Sequence, residues 1–484
     1  MLAAKLLLAA SMTLPVAAQT VSKEMASHAR AAQQAEQRGD FSTAAHEYEY
    51  LTRQLPQNGE MQSNLGVALY FDHQWERAVE VFRKAITLNP NLLAPHLFSG
   101  LAWYQLSKPD LAVPALEKAV HINSSDPIAR TWLGYAYVAQ SRYQEATEEF
   151  EEVCKLAPEN IDAWYALGQS YLQIGKNKTQ ELLAVAPNGG RVWQLAGEQF
   201  RLQGNKEKAL ADFKQANARR PDIAELRTTI VDMGAKPAGD GTGQRSAIQE
   251  REDQLYQQAY SAEQKSRAAF ERVVSLAPDS YRAHQVMAYA LVSQQQYDKA
   301  IAEYRMVLQQ KPDLPGVHEA IGDSLMRSGK TEDALLEFEA ERKIQPHSAS
   351  VNTNVGQALL ILGKDAEAEK ALRAALQMDR PPSDIYRLLG KVDLHRKNYR
   401  LAVSDLTRYL AFKKDDAMAY YLLSRAYRGL GEKEHMNQSL SQFEKVSQDV
   451  KARSQAQNEL QHFDNPGPVD DDVGKDAASL KSTD

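Results

Sequence analysis

A single cysteine, Cys154, stands among 484 residues, so no disulfide can close within the chain. On an apolar helix face a lone thiol reads as a small packed hydrophobe. Histidine is scarce as well. The eleven present include no HxxxH pair, the spacing that sets two zinc ligands on one helix face, so no metal is expected. No phosphate loop is complete. GDGTGQ at 239–244 lacks the Lys-Ser/Thr that must follow, and IGKNKT at 174–179 puts Asn177 where a hydroxyl belongs. The G-x-S-x-G of a nucleophile elbow is missing too. Positive charge is not in excess: the net charge is −6, which gives no reason to expect the basic stripe that nucleic-acid binding needs.

What is present starts with a composition fit to fold, 43% hydrophobic and 25% charged. The opening stretch 1–20 differs from the rest. Lys5 supplies a basic start, an apolar run continues to Val16, and Val16-Ala17-Ala18 offers small residues for cleavage. Pro15 and the short run argue against a membrane span. We expect residues 1–18 to be a signal peptide and the mature protein to begin near Gln19, exported to a periplasm or the medium, with no integral span left. No cysteine follows the run, so a lipid anchor is not expected. The alternative is an apolar first helix of the fold.

Small residues recur at one fixed interval through the remainder. Gly66, Gly100, Gly134 and Gly168 keep a constant step, and Gly322, Gly356 and Gly390 keep the same one. Ala44, Ala78, Ala112 and Ala146 repeat at that interval, and so do Ala300, Ala334, Ala368 and Ala402. Prolines 56, 90 and 158, then 278, 312 and 346, fall on the same grid. Two antiparallel helices that cross closely need a small residue on each at the crossing, and large apolar residues such as Leu65, Leu69 and Phe82 fill around it. Proline stops the second helix because it lacks an N–H and disfavours helix before it. This pattern resembles the tetratricopeptide repeat, a helix–turn–helix unit of about 34 residues. In that frame the Gly and Ala series are repeat positions 8 and 20, and proline is position 32. Gly39, Gly175, Gly204, Gly329, Gly363 and Gly431 sit at position 15, where a glycine can end the first helix.

The expected fold is an all-α solenoid of about twelve units in two arrays. The first, 25–223, holds six units, of which 161–189 is shortened at the start of its second helix. A linker, 224–246, ends in Gly, Pro and Asp punctuation and reads as a flexible connection. The second array, 247–450, opens with a degenerate unit whose two helices could run together. An acidic tail, 451–484, is expected to be disordered. Neither the linker nor the tail is long enough to bury a core of its own, so there is no room for a catalytic domain. The chain is not expected to be an enzyme or to carry a cofactor.

The resemblance implies a binding role. In that family the first helices line a concave groove, with positions 2, 5, 9 and 12 facing a peptide or helix. Read through 59–172, these positions give Val67, Tyr70, Leu97, Leu101, Tyr104, Tyr135, Val138, Tyr165 and Leu172 as candidate peptide-binding residues. Four tyrosines on such a strip offer broad apolar contact with a polar end. The competing reading is that neighbouring helices cover some of them. Trp103, Tyr137 and Tyr171, at position 11, are assigned to the core. Arg387, Lys391, Arg425 and Arg428 fall at groove positions of the last two units and form a candidate basic patch for an acidic segment. The family's carboxylate clamp is absent: Asn64 and Asn354 lack its lysine and arginine partners in the flanking units. The expected function is a protein-interaction scaffold with an unidentified protein or peptide partner, self-association included. A subunit of an envelope or secretion assembly held by its convex surface, or an adaptor delivering substrates to a separate enzyme, are the alternatives.

Overall fold

The computed structural model describes residues 23–239, 246–378 and 381–452. The signal segment 1–18 and the tail from 453 therefore lie outside the described residues, as do 240–245 of the expected linker. Every regular element among the described residues is a helix, 23 in all. They group into two compact units. One holds 23–174 with Lys265–Leu276; the other holds Gly175–Gln264 with 277–452.

The first unit stacks four helical hairpins: α1 (Lys23–Gln37) with α2 (Phe41–Gln54), α3 (Gly59–Phe71) with α4 (Trp75–Leu88), α5 (Leu93–Gln105) with α6 (Pro109–Ile122), and α7 (Pro127–Ala139) with α8 (Tyr143–Leu156). Each closes where the period requires. Gly134 meets the ring of Phe150, and a Cβ there would come within 2.7 Å of it. Ala44, Ala78, Ala112 and Ala146 are all fully buried opposite the glycine row. Helices α3 and α7 are capped by side chains at position 34: Asn58 accepts from the Met61 N–H, and Asp126 from those of Ile128 and Ala129.

Position 15 is left-handed in ten hairpins. Glycine holds it at Gly39, Gly204, Gly329, Gly363 and Gly431, but His73, Ser107, Ser141, Gln295 and Lys397 hold it with φ between 57° and 62°. The geometry belongs to the turn, and a residue other than glycine adopts it under strain.

One unit departs from the sequence reading. A shortened hairpin was expected over 161–189; the structure has one helix there, α9 (Ile161–Val185), and another single helix, α13 (Ala247–Leu276). Gly175 consequently does not end a helix; it lies inside α9, its Cβ position 3.4 Å from Glu263 Cγ. No proline or glycine falls between Lys176 and Val185 to stop the helix. The missing second helix is supplied from far along the chain. Residues 265–276 of α13 pack on 161–174 of α9: a Cβ at Gly168 would meet Phe270 Cε1 at 2.5 Å, and Ser266 Oγ donates to the Gly168 carbonyl at 2.8 Å. Ser266, Phe270, Val273 and Pro278 occupy positions 20, 24, 27 and 32. One repeat is thus assembled from two pieces of chain. The compact units follow these two long helices and not the 224–246 segment.

In the second unit, 247–264 of α13 packs beside the hairpin α10 (Gly190–Leu202) and α11 (Lys206–Arg219). Helix α12 (Ala224–Asp232) follows, and the chain after it is tied back: the Ala238 N–H donates to Asn217 Oδ1 at 2.6 Å. Beyond α13 come five further hairpins: α14 (Tyr281–Ser293) with α15 (Tyr297–Gln310), α16 (Val317–Arg327) with α17 (Thr331–Ile344), α18 (Ala349–Ile361) with α19 (Asp365–Ala375), α20 (Asp384–His395) with α21 (Tyr399–Phe412), and α22 (Ala417–Leu430) with α23 (Lys433–Ala452).

Candidate functional site

The strip proposed from sequence lies on α3, α5, α7 and α9, and the structure divides it in two. Tyr70, Leu97, Leu101, Tyr135 and Tyr165 are buried, at 1–6% exposure. Val67, Tyr104, Val138 and Leu172 are half-buried and reachable. A recurrent contact between stacked units runs along the strip. The position-12 side chain of one unit leans on the position-6 side chain of the next: Tyr70 meets Phe98 edge-on with centroids 5.3 Å apart, and Tyr104 meets Trp132 at 5.6 Å. Tyr70 is also flanked by Phe71 at 5.2 Å, and burial pushes its hydroxyl up to about 12. Tyr135 packs on Phe150 at 5.2 Å, and Tyr165 on Phe270 at 5.9 Å while accepting from Gln169 Nε2 at 2.9 Å. These buried tyrosines are packing residues and do not present themselves to a ligand.

The reachable remainder keeps the period. Tyr104, Val138 and Leu172 are all position 12, each one full repeat from the next, with Val67 at position 9 beyond them. They form an apolar line with polar neighbours Asn64, Gln105 and Gln169, all half-buried. The position-11 residues behave as core. Tyr137 is buried and donates to Glu117 Oε1 at 2.8 Å, while Tyr171 donates to Glu151 and accepts from Lys265 Nζ at 3.0 Å. Both bonds join a first helix to the preceding or completing second helix. Trp103 is half-buried, with Lys108 Nζ 5.3 Å from its ring centre.

Sequence reading missed that one groove face is occupied by the chain itself. Arg191, Gln194 and Glu198 are positions 2, 5 and 9 of the unit 190–223, and all are buried. The 247–264 stretch of α13 covers them. Arg191 donates through Nε to Asp253 Oδ1 at 2.5 Å and its guanidinium lies 4.6 Å from the Tyr256 ring centre, while its backbone N–H donates to Glu252 Oε1 at 2.6 Å. Arg220, 2% exposed, donates to Glu252 at 3.1 Å, to Asp253 at 3.0 Å and to both oxygens of Asp222. Burial alone would raise the Asp253 carboxyl, but the bonds from Arg220 and Arg191 outweigh it and hold it below its ordinary value. The only sequence trace of this clamp is the poor fit of 247–264 to the repeat, with Gln254 at position 8.

On the five later hairpins the groove positions are mixed, with Glu319, Asp323, Arg387 and Lys391 beside apolar Tyr289, Met326 and Met418. Glu319 accepts from Ser350 Oγ at 2.9 Å and from Asn354 Nδ2 at 2.7 Å. Asp323, at position 9, has exposed surface, yet crowding of its carboxyl by the surrounding chain raises it to about 6, with Arg327 pulling it partway back. Of the basic residues, Arg387 and Lys391 on α20 are half-buried, and Arg425 and Arg428 on α22 are exposed.

No reactive group stands out among the described residues. Burial pushes the Cys154 thiol up to about 12, which keeps it protonated and inert. Among the described residues no group of three His, Cys, Asp or Glu is placed to hold a metal ion, and no helix is long and apolar enough to cross a membrane.

Comparison with known proteins agrees with the period. A model described as TPR repeat matches residues 134–175 and 288–329, and one described as Tetratricopeptide repeat matches 30–92 and 319–385. Among curated proteins, the chain is 23% identical to Anaphase-promoting complex subunit 3 of Schizosaccharomyces pombe over 147 residues, 29% of this chain and 22% of that protein. It is 24% identical to BBSome complex member BBS4 of Bos taurus over 164 residues, 33% and 31% of the two. With Small glutamine-rich tetratricopeptide repeat-containing protein 2 of Mycosarcoma maydis it shares 35% over 104 residues, 21% and 29%. The chain thus spans less than a third of the length of each. Among solved structures it is similar to YrrB, titled a TPR protein with an unusual peptide-binding site, at 19% identity over 44% of this chain and 98% of that one, TM-score 0.29. MamA from Desulfovibrio magneticus RS-1 gives 20% identity over 42% and 99%, TM-score 0.30.

Proposed function

The chain belongs to the tetratricopeptide repeat family, and from that premise we propose that it is a non-catalytic scaffold that binds an extended protein segment along α5, α7 and α9. The observation that supports the reading is the half-buried apolar line Tyr104, Val138 and Leu172, left open with Val67 where Tyr70, Leu97, Leu101, Tyr135 and Tyr165 are packed away. Its spacing suggests the ligand. Packed helices stand about 8–10 Å apart, and a polyproline II segment rises about 3.1 Å per residue with three residues per turn. An apolar side chain at every third residue then meets one step of the line after another. Burial of apolar area drives such binding, and the neighbouring Asn64, Gln105 and Gln169 supply partners for the segment's backbone.

The interaction role also fits export to a periplasm or the medium, as residues 1–18 suggest; N-terminal sequencing of the protein from its native host should find Gln19 first, and an intact Met1 in a cytosolic fraction would refute it. The convex-surface alternative has less behind it. Leu111, Leu336 and Leu401 on second helices are exposed, but singly, as is ordinary for surface leucines. Random-peptide display on the full chain tests the groove reading. Enriched sequences should carry an apolar side chain every third residue; enrichment with no such period would remove the ligand class proposed.

A further inference from the structure

The end of the second unit carries a second surface, independent of the apolar line. On α20, Asp384, Arg387 and Lys391 follow one another at three- and four-residue spacing, so they share a face. Met418, Tyr421, Arg425 and Arg428 do the same on α22. The two helices share one core, in which Leu394 lies with Leu422, Leu423 and Ala426, so the two faces are neighbours.

The cations on them are poorly matched. Lys391 is half-buried and makes no hydrogen bond or ion pair among the described residues; burial and the charge of Arg387 both push its ammonium down, and Asp416 only partly offsets them. Arg387 stands 3.8 Å from Asp384 and 3.7 Å from Asp416, and its buried Nε makes no hydrogen bond. Arg425 and Arg428 are exposed and pair with nothing among the described residues. Four cations against two carboxylates leave a local surplus of two. Beside them Met418 is 51% exposed and Tyr421 40%, an apolar shoulder on the same stripe.

A fold gains nothing by holding a half-buried, unpaired Lys391 beside an incompletely bonded Arg387, whereas a carboxylate-bearing ligand relieves their repulsion and accepts from their idle donors. We propose that this face binds an acidic segment of a partner protein, two or three adjacent Asp or Glu residues flanked by an apolar side chain that rests on Met418 and Tyr421. The carboxylates answer the four cations by charge, and the flanking side chain covers the shoulder. Electrostatic contacts of this kind weaken as salt screens them.

The test uses the full chain and fluorescein-labelled pentapeptides Leu-Asp-Asp-Asp-Leu and Leu-Asn-Asn-Asn-Leu, read by fluorescence anisotropy. The acidic peptide should bind at least tenfold more tightly than its amide twin in low salt and lose most of that margin in high salt. Lys391→Gln with Arg425→Gln should erase the difference between the two peptides. Met418→Ser with Tyr421→Ser should weaken both peptides alike and keep the difference, which separates the charge from the shoulder. Equal binding of the two peptides, or an unchanged margin in the Lys391/Arg425 variant, overturns the proposal. So does binding that appears only when residues 465–484 are deleted, because the chain's own Asp470-Asp471-Asp472 would then be the occupant.

Discussion

Gly168 and Phe270 come from helices far apart in the sequence, and the repeat they close can be tested as a pair. A methyl group at Gly168 would sit 2.5 Å from Phe270 Cε1, closer than real contacts allow, so the ring or the helix must move. Overpacking of this kind costs about 1–3 kcal/mol. Phe270→Ala empties the site and costs about 3–5 kcal/mol. In that background the Gly168 methyl enters vacated space and gains about 1 kcal/mol of helix propensity instead. The two changes should therefore couple by about 2–4 kcal/mol. Urea unfolding followed at Trp164, on the same helix, reads the coupling as a shift in midpoint at constant slope. The Gly134 and Phe150 pair, joined within a single hairpin and in the same geometry, is the control and should couple equally. If the Gly168 and Phe270 costs add to within about 0.5 kcal/mol, the two pieces do not form one repeat.

Two further outcomes follow from the same geometry. Ser107→Gly and Ser141→Gly, at left-handed turn positions with φ of 57° and 59°, should each stabilise the fold by about 1 kcal/mol in thermal or urea melts, as relief of the left-handed penalty predicts; destabilisation would mean that those side chains contribute more than their strain. Asp323 keeps its proton in the fold up to about pH 6, above its unfolded value, so stability falls as pH rises from about 4 to 6. Asp323→Asn should then raise the melting temperature above pH 7 and leave it unchanged near pH 4, and an equal effect at both would refute the desolvation account.

The fold was legible wherever the repeat was continuous. Gly66, Ala78 and Phe82 announce a crossing because their contact closes within one helical hairpin, so a single period is enough to reveal it. The same contact at Gly168 was invisible because its large partner arrives as Phe270. Its signal was present but divided: 161–189 has a sound first half and a poor second, and 247–280 has the reverse. Two defective units were in fact complementary halves. The site was half legible. Position in the repeat identified the side chains facing the groove, but not which of them their neighbours cover. Tyr70 against Phe98 is buried, whereas Tyr104 against Trp132 stays half-buried, so a large ring at position 6 does not by itself decide it. Replacing Tyr70 and Tyr135 by alanine therefore removes packing against Phe98 and Phe150 as well as any ligand contact, and such variants cannot report on binding alone. The clamp around Arg220 left no trace in the sequence beyond the poor repeat fit of 247–264, since its ion pairs to Glu252 and Asp253 reach across a break in the period.

The groove reading rests on three side chains, and one affinity measurement tests it most directly. A peptide carrying an apolar side chain at every third residue should be titrated into the full chain and into the variant Tyr104→Ser, Val138→Thr, Leu172→Gln, with helicity and melting verified for both. Losing apolar contact at three successive steps should weaken binding at least tenfold, about 1.4 kcal/mol. Equal dissociation constants for the two proteins would contradict the assignment and move the interaction surface away from α5, α7 and α9.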